Sequence, residues 1–225
     1  MAKILIVDDH PLYREGVIGA LTRRLSNTEV IGAPSVPEGL AVLDRHEDID
    51  LVLIDIHLPE TGGFEALPLY GRHHPSVARV LISGQVLDEP TLERAMRAGA
   101  SGFIPKSLSV AAMVDAIVKV LGGGIFVPPL GEDAAGEPRS DPAGTRPFQV
   151  EGSSDAEETA HSISVRQLEV LTLLGEGRSN KEIARTLDIA ERTVKAHATR
   201  VYEVLGAANR TQAVLAAQRL GLLAA

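Results

Sequence analysis

Apolar positions follow two regular patterns along the first half of the chain. Continuous apolar runs, typical of strands buried on both faces of a sheet, occupy residues 3–7 and 51–54. Further strands are indicated at 79–82, more weakly at 29–33, and over a short stretch at 101–104. Helical spacing of apolar residues lies between and after these runs, at 12–25, 36–43, 62–70, 91–97 and 109–121. Strands that alternate with helices favour parallel pairing, with helices on both faces of the sheet. The pattern predicts an α/β fold with a doubly wound, five-stranded parallel sheet.

The last third of the chain has helical spacing throughout. Two capping-box patterns, Ser164 with Gln167 and Ser179 with Glu182, mark helix starts. Glycines interrupt the apolar pattern at positions 175, 177 and 206. Residues 162–225 therefore predict a small all-α domain of four short helices.

A segment of different composition separates these two regions. Residues 122–161 are rich in Gly, Pro, Ser and acidic side chains and lack apolar periodicity, which is typical of a solvated, flexible linker. Its apolar start, 125–129, is expected to pack back on the first domain. We therefore divide the chain into a first domain at 1–122, an acidic flexible linker at 123–160 and a helical domain at 161–225.

Charge distinguishes the same three regions. The formal net charge of −8 is distributed as −5 in residues 1–121, −6 in 122–161 and +3 in 162–225. A phosphate-binding surface is therefore expected in the helical domain. The absence of Cys excludes disulfides and thiolate metal sites. The N-terminal apolar run is too short for a signal peptide or a membrane span, so we expect a soluble cytoplasmic protein without membrane contact.

Polar side chains follow four of the five predicted strands. Asp8 and Asp9 come after the first strand and Asp55 after the third, while Ser83 and Lys106 follow the fourth and fifth. The carboxyl ends of parallel strands share one edge of a sheet, where ligands bind. Carboxylates this close either raise one another's pKa or hold a cation, and oxygen ligands suit Mg²⁺. A carboxylate beside Mg²⁺ can accept a phosphoryl group, whose charge the metal and Lys106 would neutralise. Taken singly, each residue is better explained as a helix cap or a surface charge, but the set of five is not.

Residues 1–121 resemble the receiver domain of two-component signalling proteins. The motifs that carry the resemblance are Val-Asp-Asp-His-Pro at 7–11, Leu-Val-Leu-Ile-Asp at 51–55, Ile-Pro-Lys at 104–106, and Pro59, Gly63 and Ser83. The resemblance implies a flavodoxin-like fold in which Asp55 is the phospho-acceptor. It implies a Mg²⁺ site formed by Asp8, Asp9, Asp55 and the backbone carbonyl of His57. It also implies that Lys106 and the Ser83 hydroxyl face the phosphoryl group and that Phe103 is the switch aromatic.

Three positions depart from the usual receiver pattern. Leu58 stands where Met is common, and Gly84 stands where Ala is common. His57 places an unusual imidazole two residues after the acceptor. Its side chain either alters the lifetime of the phosphoryl group or simply faces solvent.

Residues 162–221 resemble the DNA-binding domain of NarL/LuxR-type regulators. The motifs are Ser-Asn-Lys-Glu-Ile-Ala at 179–184, Glu-Arg-Thr-Val-Lys-Ala-His at 191–197, Leu-Gly at 205–206 and Asn-Arg-Thr-Gln-Ala at 209–213. The resemblance implies a helix-turn-helix, with a supporting helix at 180–187 and a recognition helix at 191–204 that enters the major groove. The residues implied to contact DNA are Lys195 and Thr199, one turn apart, with Arg192, Thr193, Arg200 and Arg210 as phosphate contacts. Ala190 stands where an N-cap Ser is common, which weakens the start of the recognition helix.

Together the two resemblances imply a transcription factor switched by phosphorylation, and not an enzyme. The expected partners are a sensor histidine kinase, double-stranded DNA and RNA polymerase. The phosphorylated form is expected to be a homodimer that binds two half-sites, with Mg²⁺ as cofactor.

Two alternatives use parts of the same sequence pattern. The first is a phosphatase with an aspartate nucleophile, which the helical domain opposes, as does His57 at the place of a second Asp. The second is a regulator that needs no phosphorylation, which the complete acidic set and Lys106 oppose.

Overall fold

The computed structural model describes residues 2–46, 48–85, 88–128 and 163–223. The first three ranges form an α/β domain. Its strands are β1 (Ala2–Val7), β2 (Thr28–Ala33), β3 (Leu51–Asp55), β4 (Ala78–Ser83) and β5 (Gly102–Pro105). Its helices are α1 (Pro11–Arg24), α2 (Val36–Arg45), α3 (Gly63–His73), α4 (Glu89–Arg97) and α5 (Val110–Leu121). The strands pair in parallel in the order β2-β1-β3-β4-β5, the order of flavodoxin-like folds.

Both faces of this sheet are covered, which explains the continuous apolar runs of its strands. Successive residues of β1 point to opposite faces, so Leu5 and Val7 pack in one cluster and Ile4 and Ile6 in another. The first cluster includes buried side chains of α2, α3 and α4, and the second includes those of α1 and α5. The predicted doubly wound sheet is confirmed.

Four helices form the C-terminal domain over residues 163–223. They are α6 (Val165–Gly175), α7 (Asn180–Leu187), α8 (Glu191–Val204) and α9 (Arg210–Arg219). Both predicted capping boxes form, at Ser164 with Gln167 and at Ser179 with Glu182. A separate apolar cluster draws buried side chains from all four helices, so this domain has its own core.

The helix ends differ from the sequence prediction where a single residue decides them. Helix α3 runs to His73 through Pro68, although proline removes one helical hydrogen bond. Helix α4 begins at Glu89 because the Asp88 side chain caps it, accepting from the Thr91 amide at 2.9 Å.

None of the helices in the described ranges combines the length and apolar character that a membrane span requires.

The start of the predicted linker packs on the α/β domain. Phe126 forms a parallel bridge with Gly102, and the Phe103 amide donates to the Phe126 carbonyl at 2.8 Å. The expected packing of this apolar segment is thus confirmed at Phe126. The remainder of the predicted linker, 129–160, lies outside the described residues.

Candidate functional site

An acidic pocket, formed by Asp8, Asp9, Asp55 and Lys106, lies at the carboxyl edge of the sheet. Lys106 Nζ donates hydrogen bonds to Asp8 Oδ2 and Asp55 Oδ2, each at 2.8 Å. Asp8 is fully buried and Asp55 is 1% exposed. Because unpaired buried carboxylates are costly, the ammonium group stabilises both of them at once.

Backbone contacts fix the two buried carboxylates. The His10 amide donates to Asp8 Oδ1 at 2.8 Å, and the His57 amide lies 3.4 Å from Asp55 Oδ1. A side chain at residue 63 would place its Cβ 2.5 Å from the Asp55 carbonyl oxygen. Gly63 therefore allows the start of α3 to approach β3 closely, which explains the glycine at this position.

The cation of the pocket is held in its charged form. Burial lowers the pKa of Lys106, but the hydrogen bonds and charges of Asp55 and Asp8 outweigh it, so the net pKa lies above the ordinary value. The Tyr13 ring stacks 4.4 Å from Lys106 Nζ, at the distance of a cation–π contact. Burial, followed by the charges of Asp8 and Asp55, raises the pKa of Tyr13 to about 12. At neutral pH both side chains stay protonated.

The arrangement of the pocket fits a hard divalent cation. Asp8, Asp9, His10 and Asp55 each place one ligand atom within 4.8 Å of the others. Asp9 Oδ1 is shielded from solvent, and His10 Nδ1 lies 2.9 Å away without the alignment of a hydrogen bond. In the described part of the chain this oxygen has no aligned donor. Three converging carboxylates, one with a buried oxygen that accepts no hydrogen bond, match the oxygen ligands that Mg²⁺ prefers.

Ser83 and Phe103 lie on the two neighbouring strands. Ser83 ends β4, one residue beyond Ile82, which pairs with Asp55. It is 3% exposed, and its hydroxyl accepts from the Gln85 amide at 3.0 Å. Phe103 is buried in β5, within the apolar cluster on the α2–α4 face. The predicted residues are thus on the same sheet edge as Asp55, except Phe103, which lies in the core beneath it.

The predicted recognition helix is α8, and it has the predicted bounds. Ala190 takes the N-cap position with an extended backbone and no side-chain cap. Arg192 and Arg200 are exposed, whereas Thr193 and Thr199 are half-buried. Arg200 pairs with Glu203 at 2.9 Å.

Lys195 is turned toward the α/β domain instead of solvent. Its Nζ donates to the Ile49 carbonyl at 3.0 Å and lies 3.7 Å from Asp50 Oδ1 and 3.8 Å from Glu191 Oε1. The residue is only 8% exposed. The sequence pattern placed this side chain on a DNA-binding face, and in this arrangement the same face is covered.

A cavity of about 210 Å³ lies beside this contact. Its lining includes His46, His73 and His74 from the α/β domain, and Arg192, Lys195 and Thr199 from α8. Three of the predicted DNA contacts therefore face the α/β domain.

Arg210 also lies between the domains. Its Nη2 donates to the Leu174 carbonyl at 2.7 Å, and burial lowers the pKa of its guanidinium. A Cβ on Gly123 would lie 2.5 Å from the Arg210 Cζ. This predicted phosphate contact is therefore held against the end of the α/β domain.

Sequence reasoning assigned no role to His10, Tyr13 or Arg79. The first two surround the acidic pocket, and periodicity carries no signal for them. Arg79 is fully buried in β4, and the signal for it was a charged residue inside a continuous apolar run.

Comparison with known proteins agrees with both halves of this description. Residues 4–118 match the response regulator receiver domain, and residues 161–217 match bacterial regulatory proteins of the luxR family. The glycerol metabolism activator of Pseudomonas putida is 36% identical over 96% of this chain and 95% of its own length. The transcriptional regulatory protein LnrK of Bacillus subtilis is 33% identical over 99% of both chains.

A solved structure agrees as well. A LuxR family DNA-binding response regulator from Silicibacter pomeroyi is 37% identical and has a TM-score of 0.51, covering 57% of this chain and 98% of that one. The chain therefore belongs to the LuxR family of two-component response regulators, with a receiver domain followed by a LuxR-type DNA-binding domain.

Proposed function

We propose that Asp55 accepts a phosphoryl group from a sensor histidine kinase and that this modification controls promoter binding. The observation that carries the proposal is the Lys106 ammonium, which bridges Asp8 and Asp55 at 2.8 Å each. A fixed cation at this point would contact the oxygens of a phosphoryl group on Asp55 and stabilise their charge.

In the transfer, an Asp55 carboxylate oxygen forms the bond to phosphorus while the nitrogen–phosphorus bond of a phosphohistidine breaks. The released imidazole takes up a proton. Mg²⁺, held by Asp8, Asp9, Asp55 and the His57 carbonyl, would supply charge neutralisation at the phosphoryl oxygens. Lys106 remains protonated throughout. The Ser83 hydroxyl turns to donate to the phosphoryl group, and the aromatic ring of Phe103 repacks behind it.

The DNA-binding surface is assigned to α8 and the start of α9. Its contacts are Lys195 and Thr199 at bases or phosphates, with Arg192, Thr193, Arg200 and Arg210 at phosphates. Lys195 cannot reach DNA while it donates to the Ile49 carbonyl, so binding requires the two domains to separate. Phosphorylation would favour the separated arrangement because it changes the relative stability of two packings.

The proposal also covers the domain boundaries, the oligomeric state and the site of action. The receiver comprises residues 1–122, the acidic linker 123–160 and the DNA-binding domain 161–225. The phosphorylated protein is a cytoplasmic homodimer that reads two half-sites and acts on RNA polymerase. The curated relatives named above are regulators by name, in line with a role in transcription and not in catalysis.

The test is a DNA-binding selection with the full-length protein, with and without acetyl phosphate and Mg²⁺. We expect enrichment of a two-half-site sequence only after phosphorylation, and the Asp55→Asn variant should enrich none. Equal enrichment with and without the phosphodonor would assign the protein to the phosphorylation-independent class instead.

A further inference from the structure

One contact between the two domains joins the segment after α4 to the first turn of α9. Asn209 is the N-cap of α9, and its Oδ1 accepts from the Gln212 amide at 2.9 Å. Its Nδ2 points the other way and donates to the Ala100 carbonyl at 3.2 Å. The residue is 3% exposed, and its bond to the Ala100 carbonyl is buried.

Gln212 uses the two polar atoms of its side-chain amide in the same way. Its Oε1 accepts from the Ala208 amide at 2.8 Å, within its own domain. Its Nε2 donates to the Met96 carbonyl of the receiver at 3.1 Å. In both side chains, therefore, the amide oxygen serves the helix and the amide nitrogen binds the receiver.

Arg79 completes the contact from the receiver side. Its Nε and Nη2 lie 3.3 and 3.2 Å from the Gly99 carbonyl oxygen, and Nη2 also donates to the Ala208 carbonyl. Among the described residues its guanidinium has no carboxylate partner, and Nη1 has no hydrogen bond. Burial lowers the pKa of Arg79 to about 10. The buried Arg79 guanidinium thus donates to one carbonyl in each domain. Without it, these two carbonyl oxygens would lie close together with no hydrogen-bond donor between them.

The carbonyls that receive these bonds lie on a segment tied to the phosphorylation site. Residues 96–100 connect the end of α4 to β5, which carries Phe103 and leads to Lys106. The Ser101 amide donates to the Arg79 carbonyl at 2.6 Å. Arg79 is four positions before Ser83 on β4, roughly 13 Å along the strand. Strands β4 and β5 thus connect Ser83 and Phe103 with the backbone that holds α9.

We propose that Asn209, Gln212 and Arg79 form an interdomain latch, in which side-chain amides of α9 sense the position of the carbonyls at 96–100. With the latch closed, Lys195 is held at the receiver. Displacement of the 96–100 backbone breaks the latch and releases α8. The proposal deepens the proposed function and rests on it for the trigger, although the latch itself is independent of phosphorylation.

The chemistry of the latch suggests variants that break it without damaging the helix. Asn209→Asp and Gln212→Glu keep the oxygens that cap α9, and a negative charge at a helix N-terminus is favourable. Both replace a donor by a carboxylate that faces a carbonyl of the receiver, at Ala100 a buried one and at Met96 a partly buried one, and this is repulsive. The two substitutions therefore remove only the hydrogen bonds between the domains and keep those within α9.

The native chain has no Cys, so spin labels can be placed at Val118→Cys and Leu215→Cys, which are 52% and 48% exposed. The label-to-label distance is measured in the full-length, unphosphorylated protein. The parent should give predominantly short distances. The Asn209→Asp/Gln212→Glu double variant should raise the ratio of long to short distances by roughly tenfold or more. Gln167→Glu is the matched control, because it makes the same change in the cap of α6, where Gln167 Oε1 accepts from the Ser164 amide.

An unchanged distribution in a double variant of normal helix content overturns the latch. If the double variant loses helix content, Gln212→Glu alone, which leaves the Asn209 cap in place, is measured in its stead and judged by the same criterion. Acetyl phosphate with Mg²⁺ is then added to the labelled parent protein. If the variants open but acetyl phosphate does not open the parent, the latch is upheld and phosphorylation is excluded as its trigger. Failure of the latch and failure of the proposed function therefore give different results.

Discussion

At the residue scale, Lys106 and Arg79 are two cationic side chains whose contacts differ in how far the sequence predicts them. Lys106 follows a strand and belongs to a recognisable motif, so its place beside Asp8 and Asp55 follows from the geometry of a parallel sheet. Arg79 stands inside a strand, and its partners are backbone carbonyls. Sequence patterns carry no information on such bonds, because any residue supplies a carbonyl.

The acceptor assignment is tested by Asp55→Asn. We expect the variant to lose acid-labile phosphorylation by acetyl phosphate in the presence of Mg²⁺, because an amide oxygen is a poor nucleophile and a weaker metal ligand. Phosphorylation is measured by mass shift and by mobility on a phosphate-binding gel. Asp44→Asn, at an exposed carboxylate paired with His74, is the control and should label normally. Full labelling of the Asp55→Asn protein would show that another group accepts the phosphoryl.

At the element scale, the strands and helices follow from the apolar pattern to within a few residues. The pattern is strong because the sheet is covered on both faces, so strands and helices differ clearly in period. The ends were harder to predict, since caps such as Asp88 and an internal proline such as Pro68 act through single contacts. The acidic pocket was predictable for the same reason as the strands, because strand order fixes which carboxyl ends meet.

The uncapped start of α8 predicts a stabilising substitution. Ala190 has the backbone conformation of an N-cap but no side-chain acceptor, so amides of the first turn lack that partner. Ala190→Ser should raise the free energy of unfolding by roughly 0.5–2 kcal/mol, as measured by urea denaturation of the full-length protein. The amides of the first turn of α8 should also exchange more slowly with deuterium. A variant with neither change would mean that the Ser hydroxyl is bonded elsewhere.

At the scale of the whole molecule, the packing of the two domains was not predictable from the sequence. Apolar periodicity reports burial within a domain, and each domain has its own apolar cluster. The contact between them uses Lys195, Asn209, Gln212 and Arg79, which bind carbonyls. Those polar side chains would equally suit a DNA-binding surface, so the sequence alone indicates the second role and is silent on the first.

The closed arrangement should depend on pH through Glu191. Burial, followed by the charge of Asp50, raises the pKa of Glu191 above its ordinary value of 4.5. The closed form thus binds the proton more tightly than an open form with an ordinary pKa, so closing is favoured as pH falls through the raised value. Below 4.5 this contribution is fully present, and it is lost as pH rises.

Glu191→Gln mimics the protonated side chain at every pH. The labelled full-length variant should be more closed than the parent at pH 7, and its distance distribution should change less between pH 7 and pH 5. Glu203→Gln, at the exposed end of the same helix, provides the control and should respond to pH as the parent does. A pH response of the Glu191→Gln protein equal to that of the parent would exclude Glu191 as the titrating group.

Under the proposed function, Lys195 contributes to both the closed and the open arrangement, so its removal should have opposite effects in the two. In the closed form its Nζ binds the Ile49 carbonyl and lies near Asp50 and Glu191. Lys195→Ala leaves these two carboxylates facing each other without the cation, which should favour opening. In the open form the same substitution removes a positive charge from the DNA-binding helix, which should weaken binding and reduce the slope of log affinity against log salt by about 1.

The two opposing effects can be distinguished by measuring DNA affinity with and without phosphorylation. In the phosphorylated, open protein only the loss of the DNA contact remains, so Lys195→Ala should lower affinity by the full amount. In the unphosphorylated protein easier opening offsets part of that loss, so the decrease should be smaller. The ratio of the DNA affinity of the phosphorylated protein to that of the unphosphorylated protein should therefore fall. Both affinities are measured by fluorescence anisotropy with a selected DNA site at two salt concentrations. Arg200→Ala, an exposed position on the same helix, removes a charge without a receiver contact in the described structure and should leave the ratio unchanged. An equal loss in both forms of the Lys195→Ala protein would show that the bond to Ile49 does not restrain the recognition helix.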